Sequence, residues 1–137
     1  MYQVYFLSVV TLVLASVSAG FDRFDEQIRV GAFFSRDLFT SPGFRLGLGL
    51  ITALVGFLKF IVVAGSGTVI VGDLLPAVAG IVLGATLTMM FYKAKATVES
   101  DTAATLERLL IGNASNFAML GLLIAVLHLL LPRVIFL

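Results

Sequence analysis

The stretch from Leu74 to Tyr92 contains no charged side chain and places Gly72, Pro76, Gly80, Gly84 and Thr88 at every fourth position. As a helix rising about 1.5 Å per residue, it comes close to the ~30 Å thickness of a bilayer's hydrocarbon core. Residues four apart share a helix face, so these five form a narrow strip along which a second backbone can approach closely in lipid. Asp73 stands just ahead of Leu74-Leu75-Pro76. Its carboxylate suits a helix cap, and proline is accepted in a first turn, where no internal N–H is needed. The spacing predicts a helix over 74–92 whose purpose is to be packed against.

The rest of the chain decides whether that helix is a membrane span or a buried core. Of 137 residues, 60% are apolar and 12% charged, far from the averages of soluble domains. A chain this short cannot cover so much apolar surface with itself, so the excess faces lipid or a large partner. The net charge of +1 and the lack of any basic run argue against nucleic acid as a partner. Without cysteine there is no disulfide framework, thiolate nucleophile or cysteine metal site.

Three more apolar runs are legible, giving expected spans at about 2–20, 46–63, 74–92 and 117–131. The first ends in Ala15-Ser16-Val17-Ser18-Ala19-Gly20, small residues that resemble a signal-peptide cleavage region. Its opening residues, however, carry no Lys or Arg, so it is read as a first transmembrane helix. Between the spans lie two polar connectors, 21–45 and 93–116. The first holds Asp22, Arg23, Asp25, Glu26, Arg29, Arg36, Asp37 and Arg45 together with six phenylalanines. On a helical wheel Phe21, Phe24, Ile28, Phe34 and Leu38 share a broad sector opposite the charges, as in a helix lying at the headgroup boundary. Ser41-Pro42-Gly43 marks a turn before the chain re-enters the bilayer. In the second connector, Ser100-Asp101-Thr102 reads as a helix start and Gly112-Asn113 as its stop.

Seven of the nine Lys and Arg residues fall in the two connectors. The positive-inside rule then places both connectors in the cytoplasm and both termini on the other side. Shifting the second half by 72 residues aligns Gly49-Leu50 with Gly121-Leu122, Ala53 with Ala125 and Arg36 with Arg108. This suggests a parallel duplication of a two-helix unit. The expected fold class is an all-α membrane protein, a four-transmembrane-helix bundle with helical cytoplasmic connectors.

Candidate sites are few. Lys59 stands about 21 Å along its helix from Arg45, in the outer part of the membrane, with His128 at comparable depth and Asp73 at the outer surface. An ionisable group inside a span is a functional candidate by default, and these three define a possible polar pocket. Each also has a structural explanation: Lys59 can snorkel, Asp73 can cap, and His128 can bond a neighbouring helix. Gly72, Gly80, Gly84 and Thr88 are expected to serve helix packing. Phe21, Phe24, Phe33 and Phe34 with Arg36 are expected to form a partner-binding or lipid-facing surface. No metal-ligand spacing, phosphate loop, nucleophile elbow or paired-carboxylate arrangement occurs. No catalytic residue, cofactor or metal is therefore expected.

Two functions fit. One is a non-catalytic scaffold, anchor or regulatory subunit of a membrane assembly, with the lipid bilayer, a homo-oligomer or a larger complex as partner. The other is an oligomeric small-solute or ion transporter or channel using the pocket near Lys59, Asp73 and His128. The direction of Lys59 and His128 bears on the choice: inward convergence of both within a few ångströms of Asp73 favours transport, and contact with lipid or headgroups favours the scaffold.

Overall fold

The computed structural model describes residues 2–65, 74–95 and 100–130. Every element among them is helical: α1 (Tyr2–Ala19), α2 (Phe21–Ile28), a 3₁₀ turn (Val30–Ala32), α3 (Arg36–Phe39), α4 (Pro42–Gly65), α5 (Leu74–Lys95), α6 (Asp101–Leu110) and α7 (Ala114–Leu130). By length and composition α4 (over Pro42–Ile61) and α5 suffice to cross a membrane. Up to four crossings result if each of two bent pairs counts as one span: α1 with α2, bent by 89°, and α6 with α7, bent by 49°.

The most extensive helix contact joins α4 to α5, and glycine explains its closeness. A Cβ built on Gly84 would stand 2.5 Å from the Gly49 carbonyl oxygen and 2.6 Å from the Ala53 Cβ. One built on Gly56 would stand 2.7 Å from the Ala77 carbonyl oxygen. Neither site admits a methyl group without the helices parting. The strip formed by Gly80, Gly84 and Thr88 is thus occupied within the chain, by α4; Gly72 lies outside the described residues.

Helix α1 packs against α4, α5 and α7, and α5 packs against α1, α4 and α7. So α1 and α5 form a central pair, with α4 and α7 on its two flanks. The core between them contains Leu12, Ala15, Leu83, Leu87, Ala118 and Ala125. The outward side of α4, with Leu50, Ile51, Leu54 and Phe57, is exposed, as a lipid-facing surface would be.

The connector over 21–45 is not one amphipathic helix. Arg29 adopts a left-handed conformation, φ 54°, which ends α2 and turns the following residues back over it. The Gly31 N–H donates to the Asp25 carboxylate at 2.8 Å, and Ser35 caps α3 by accepting from the Leu38 N–H. This folding back changes the role of the phenylalanines. Phe21 and Phe24 are 2% and 4% exposed, and Phe39 is also buried. The Phe39 ring centroid lies 4.9 Å from that of Phe34 and 5.0 Å from that of Phe44. The expectation that Phe21 and Phe24 face lipid or a partner is therefore corrected: the chain covers them itself. Phe34 is half-buried on the same cluster, whereas Phe33 is 83% exposed. Arg36 is also exposed, paired with Asp22 and Asp25 and lying over the Phe21 ring.

Candidate functional site

Arg45, Thr52 and Lys59 are spaced seven residues apart along α4, which is nearly two helical turns per step and keeps them on one face. That face meets α1. At its first end the Arg45 guanidinium Nη2 donates to the Ser18 carbonyl at 3.1 Å, and the Ser18 hydroxyl donates to the Phe39 carbonyl at 2.7 Å. In the middle Thr52 is buried, its hydroxyl turned back to the Leu48 carbonyl. At the far end Lys59 is 2% exposed.

Lys59 does not snorkel outward along α4. Its Nζ lies 2.9 Å from Nε2 of His128 on α7, which is itself 1% exposed. Tyr5 of α1 completes the cluster. Its hydroxyl donates to the His128 carbonyl at 2.6 Å, and its ring centroid lies 4.6 Å from the imidazole and 5.8 Å from the Lys59 Nζ. The last contact is within the range where an ammonium is attracted to an aromatic face. Two of the three proposed pocket residues, Lys59 and His128, are thus brought together inside the protein. Asp73 lies outside the described residues.

The Lys59–His128 bond links two helices that otherwise touch little, since α4 and α7 lie on opposite flanks of the α1–α5 pair. A long lysine stem makes that reach possible; a shorter cation on α4 would not arrive. Chemically the cluster offers a cation, an imidazole and a phenol, the components of a proton or anion site. No group of three potential metal ligands occurs among the described residues.

Elsewhere the described residues form apolar grooves, two of which border α7. One, of about 210 Å³, lies between α5 and α7 and is lined by Val78, Val82, Phe117 and Leu120 among others. The other, of about 340 Å³, lies between α2 and α7, where Gln27 is its one polar side chain beside Ile28, Met119 and Leu123. Neither reaches Lys59 or His128. On the connector side Lys93 pairs with Glu107 at 2.7 Å, which fastens α6 to the end of α5.

Sequence reasoning missed the Arg45–Ser18 attachment and the inward turn of Phe39. The seven-residue repeat of Arg45, Thr52 and Lys59 carried the signal for the first. Nothing in the periodicity carried the second, because it depends on the left-handed turn at Arg29.

Residues 1–128 match the model of a family of uncharacterised proteins. No curated protein and no solved structure matches the chain.

Proposed function

The chain belongs to that uncharacterised family, and from its own geometry we propose that it is a non-catalytic membrane component that anchors or scaffolds a larger assembly. In this reading it crosses the bilayer four times. Both connectors are in the cytoplasm and both termini on the opposite side, in keeping with seven of nine cations falling in the connectors. The shared order of long helix, short helical connector and long helix supports two related halves.

The observation that carries the reading is the contrast between the two faces of the connectors. Phe21, Phe24 and Phe39 are used up inside, while Phe33, Ile28 and Leu38 stay exposed among Arg29, Arg36 and Asp37. On the other connector α6 buries no residue and exposes Leu106 and Leu109. Aromatic and aliphatic side chains set among charges, on a rigid platform, are the composition of a protein-docking surface.

The test is site-specific cross-linking in native membranes from a photoreactive residue at position 33 or 106, with one at the lipid-facing position 54 as reference. Discrete adducts of constant mass from 33 and 106, absent from 54, are expected. Lipid adducts alone from all three positions would overturn the proposal.

The inward Lys59–His128 pair favours a second reading, an oligomeric transporter or channel whose path passes this cluster. Proteoliposomes containing the purified protein distinguish the two. The scaffold reading expects ion and solute permeability equal to that of empty liposomes, whereas the pathway reading expects flux that Lys59→Met removes.

A further inference from the structure

We infer that the groove between α2 and α7 seats one anionic phospholipid, with an acyl chain along α7 and the phosphate at Arg23. The inference goes beyond the scaffold and pathway readings, and it rests only on the bilayer placement given there. It begins at the bend after α1. Gly20 brings the end of α1 against α7, since a Cβ there would stand 2.7 Å from the Ala118 Cβ. From that contact α2 departs at 89° to α1. A helix at right angles to a crossing helix runs along the membrane surface, at headgroup level, so α2 overhangs the side of α7.

The shape of the space beneath α2 selects a hydrocarbon chain. Phe24 and Gln27 bound it from α2, and Met119, Leu122, Leu123 and Val126 bound it from α7, around about 340 Å³. Leu123 and Val126 are exposed, so the groove opens sideways, where a bilayer's acyl chains lie. Met119 and Val126 are about 10 Å apart along α7, roughly two-thirds of one leaflet's half of the ~30 Å hydrocarbon core. That volume over that length leaves a cross-section on the order of 30 Å², too narrow for a helix some 10 Å across. An extended peptide would fit the width, but its backbone N–H and C=O groups would find no partners on this apolar wall.

The charges at the edge of the groove select the headgroup. Arg23 stands one turn before Gln27 on the same face of α2. It is half-buried, and its side chain takes part in no hydrogen bond or ion pair among the described residues. The acids of α2 are directed elsewhere. Asp22 and Asp25 pair with Arg36, and Glu26 falls on the side of Arg23 away from Gln27 and the groove. A cation with no acid to neutralise it, beside an amide and above an apolar slot, complements a lipid of net negative charge. The guanidinium fork matches two phosphate oxygens, and the Gln27 amide supplies a further donor.

The chain has no tryptophan, so an introduced one reports only its own surroundings. Leu123→Trp places it on the exposed wall of the groove, and Leu54→Trp on the outward face of α4 as reference. The full chain is reconstituted in phosphatidylcholine with a rising share of either phosphatidylglycerol or phosphatidylcholine brominated on its acyl chains, which quenches tryptophan on contact. At position 123 half-quenching is expected at an about fivefold lower share of the brominated phosphatidylglycerol, the preference that one cation at the interface confers. At position 54 the two lipids should quench equally. Arg23→Gln should remove the preference at 123 and leave 54 unchanged. Native mass spectrometry of the chain without tryptophan should show one retained phosphatidylglycerol, lost in Arg23→Gln; its absence overturns the inference. So does equal quenching at 123, or a preference that survives Arg23→Gln. Quenching at 54 with none at 123, as when a second copy or a partner fills the groove, overturns it while the bilayer placement stands. No quenching at 54 overturns the placement itself, and the inference with it.

Discussion

Adding one methyl group at Gly84 tests the physical account of the α4–α5 contact. A Cβ there falls 2.5 Å from the Gly49 carbonyl oxygen, 2.6 Å from the Ala53 Cβ and 2.7 Å from the Ala53 nitrogen. Ordinary contact begins near 3.4 Å, so the helices must separate by about 0.9 Å or distort. All three obstacles are backbone atoms or the Cβ of alanine, so no flexible side chain can yield. Overpacking of this kind costs about 1–3 kcal/mol, and a gap approaching 1 Å forfeits a quarter to a half of each dispersion contact along the rest of the seam. The upper end, about 3 kcal/mol, therefore applies. Alanine also returns up to about 1 kcal/mol in helix propensity, which obscures the clash if Gly84→Ala is measured alone. Gly47 supplies the correction: it lies on α4, where an added Cβ meets nothing within 4 Å. The propensity gain cancels between Gly84→Ala and Gly47→Ala. Their difference should be about 3 kcal/mol, or roughly 150-fold in the unfolding equilibrium. Reversible SDS unfolding in mixed micelles, followed by circular dichroism, measures it. Equal stability of the two variants would refute the claim that glycine sets this helix spacing.

Three further substitutions probe other parts of the structure. Phe39→Ala removes the ring shared by Phe21, Phe34 and Phe44 and should cost about 3–5 kcal/mol, with the 21–45 connector becoming protease-sensitive before the long helices unfold. Tyr5→Phe keeps the ring over Lys59 and loses the hydroxyl's bond to the His128 carbonyl and its longer contact with the Leu129 carbonyl; about 0.5–1.5 kcal/mol in the same SDS unfolding assay is expected. Arg36→Ala breaks exposed ion pairs with Asp22 and Asp25, so it should change stability by under about 1 kcal/mol, an effect that fades as salt is raised.

What could be read from the residues, and what could not, divides along a physical line. Start and stop signals are local, and they served well. Ser100 caps α6 by accepting from the Ala103 N–H at 3.1 Å, and the chain turns at 111–113, whereas Pro42 and Gly43, expected in a turn, already belong to α4, because proline is accepted in a helix's first turn. Depth was legible too, because 1.5 Å per residue puts Lys59 and His128 at similar levels before any fold is known. Azimuth was not. Whether Lys59 points to lipid or across to His128 depends on how α4 and α7 are rotated, and an apolar helix with no strong polar face leaves that rotation unspecified. The phenylalanines fail for a related reason. A wheel identifies an apolar sector but not what covers it: Phe21 meets Phe39 and Arg36 of the chain's own return after Arg29, and Phe24 lines the groove with α7.

The bend at Gly20 has one more consequence. Its backbone, φ −115° and ψ 31°, is one that alanine tolerates, yet a Cβ there would stand 2.7 Å from the Cβ of Ala118. Positions 20 and 118 together have room for a single methyl group, and it does not matter to the elbow which of them bears it. Exchanging the two residues should restore a connector that Gly20→Ala alone displaces. Related sequences that keep this elbow should vary at the two positions in concert.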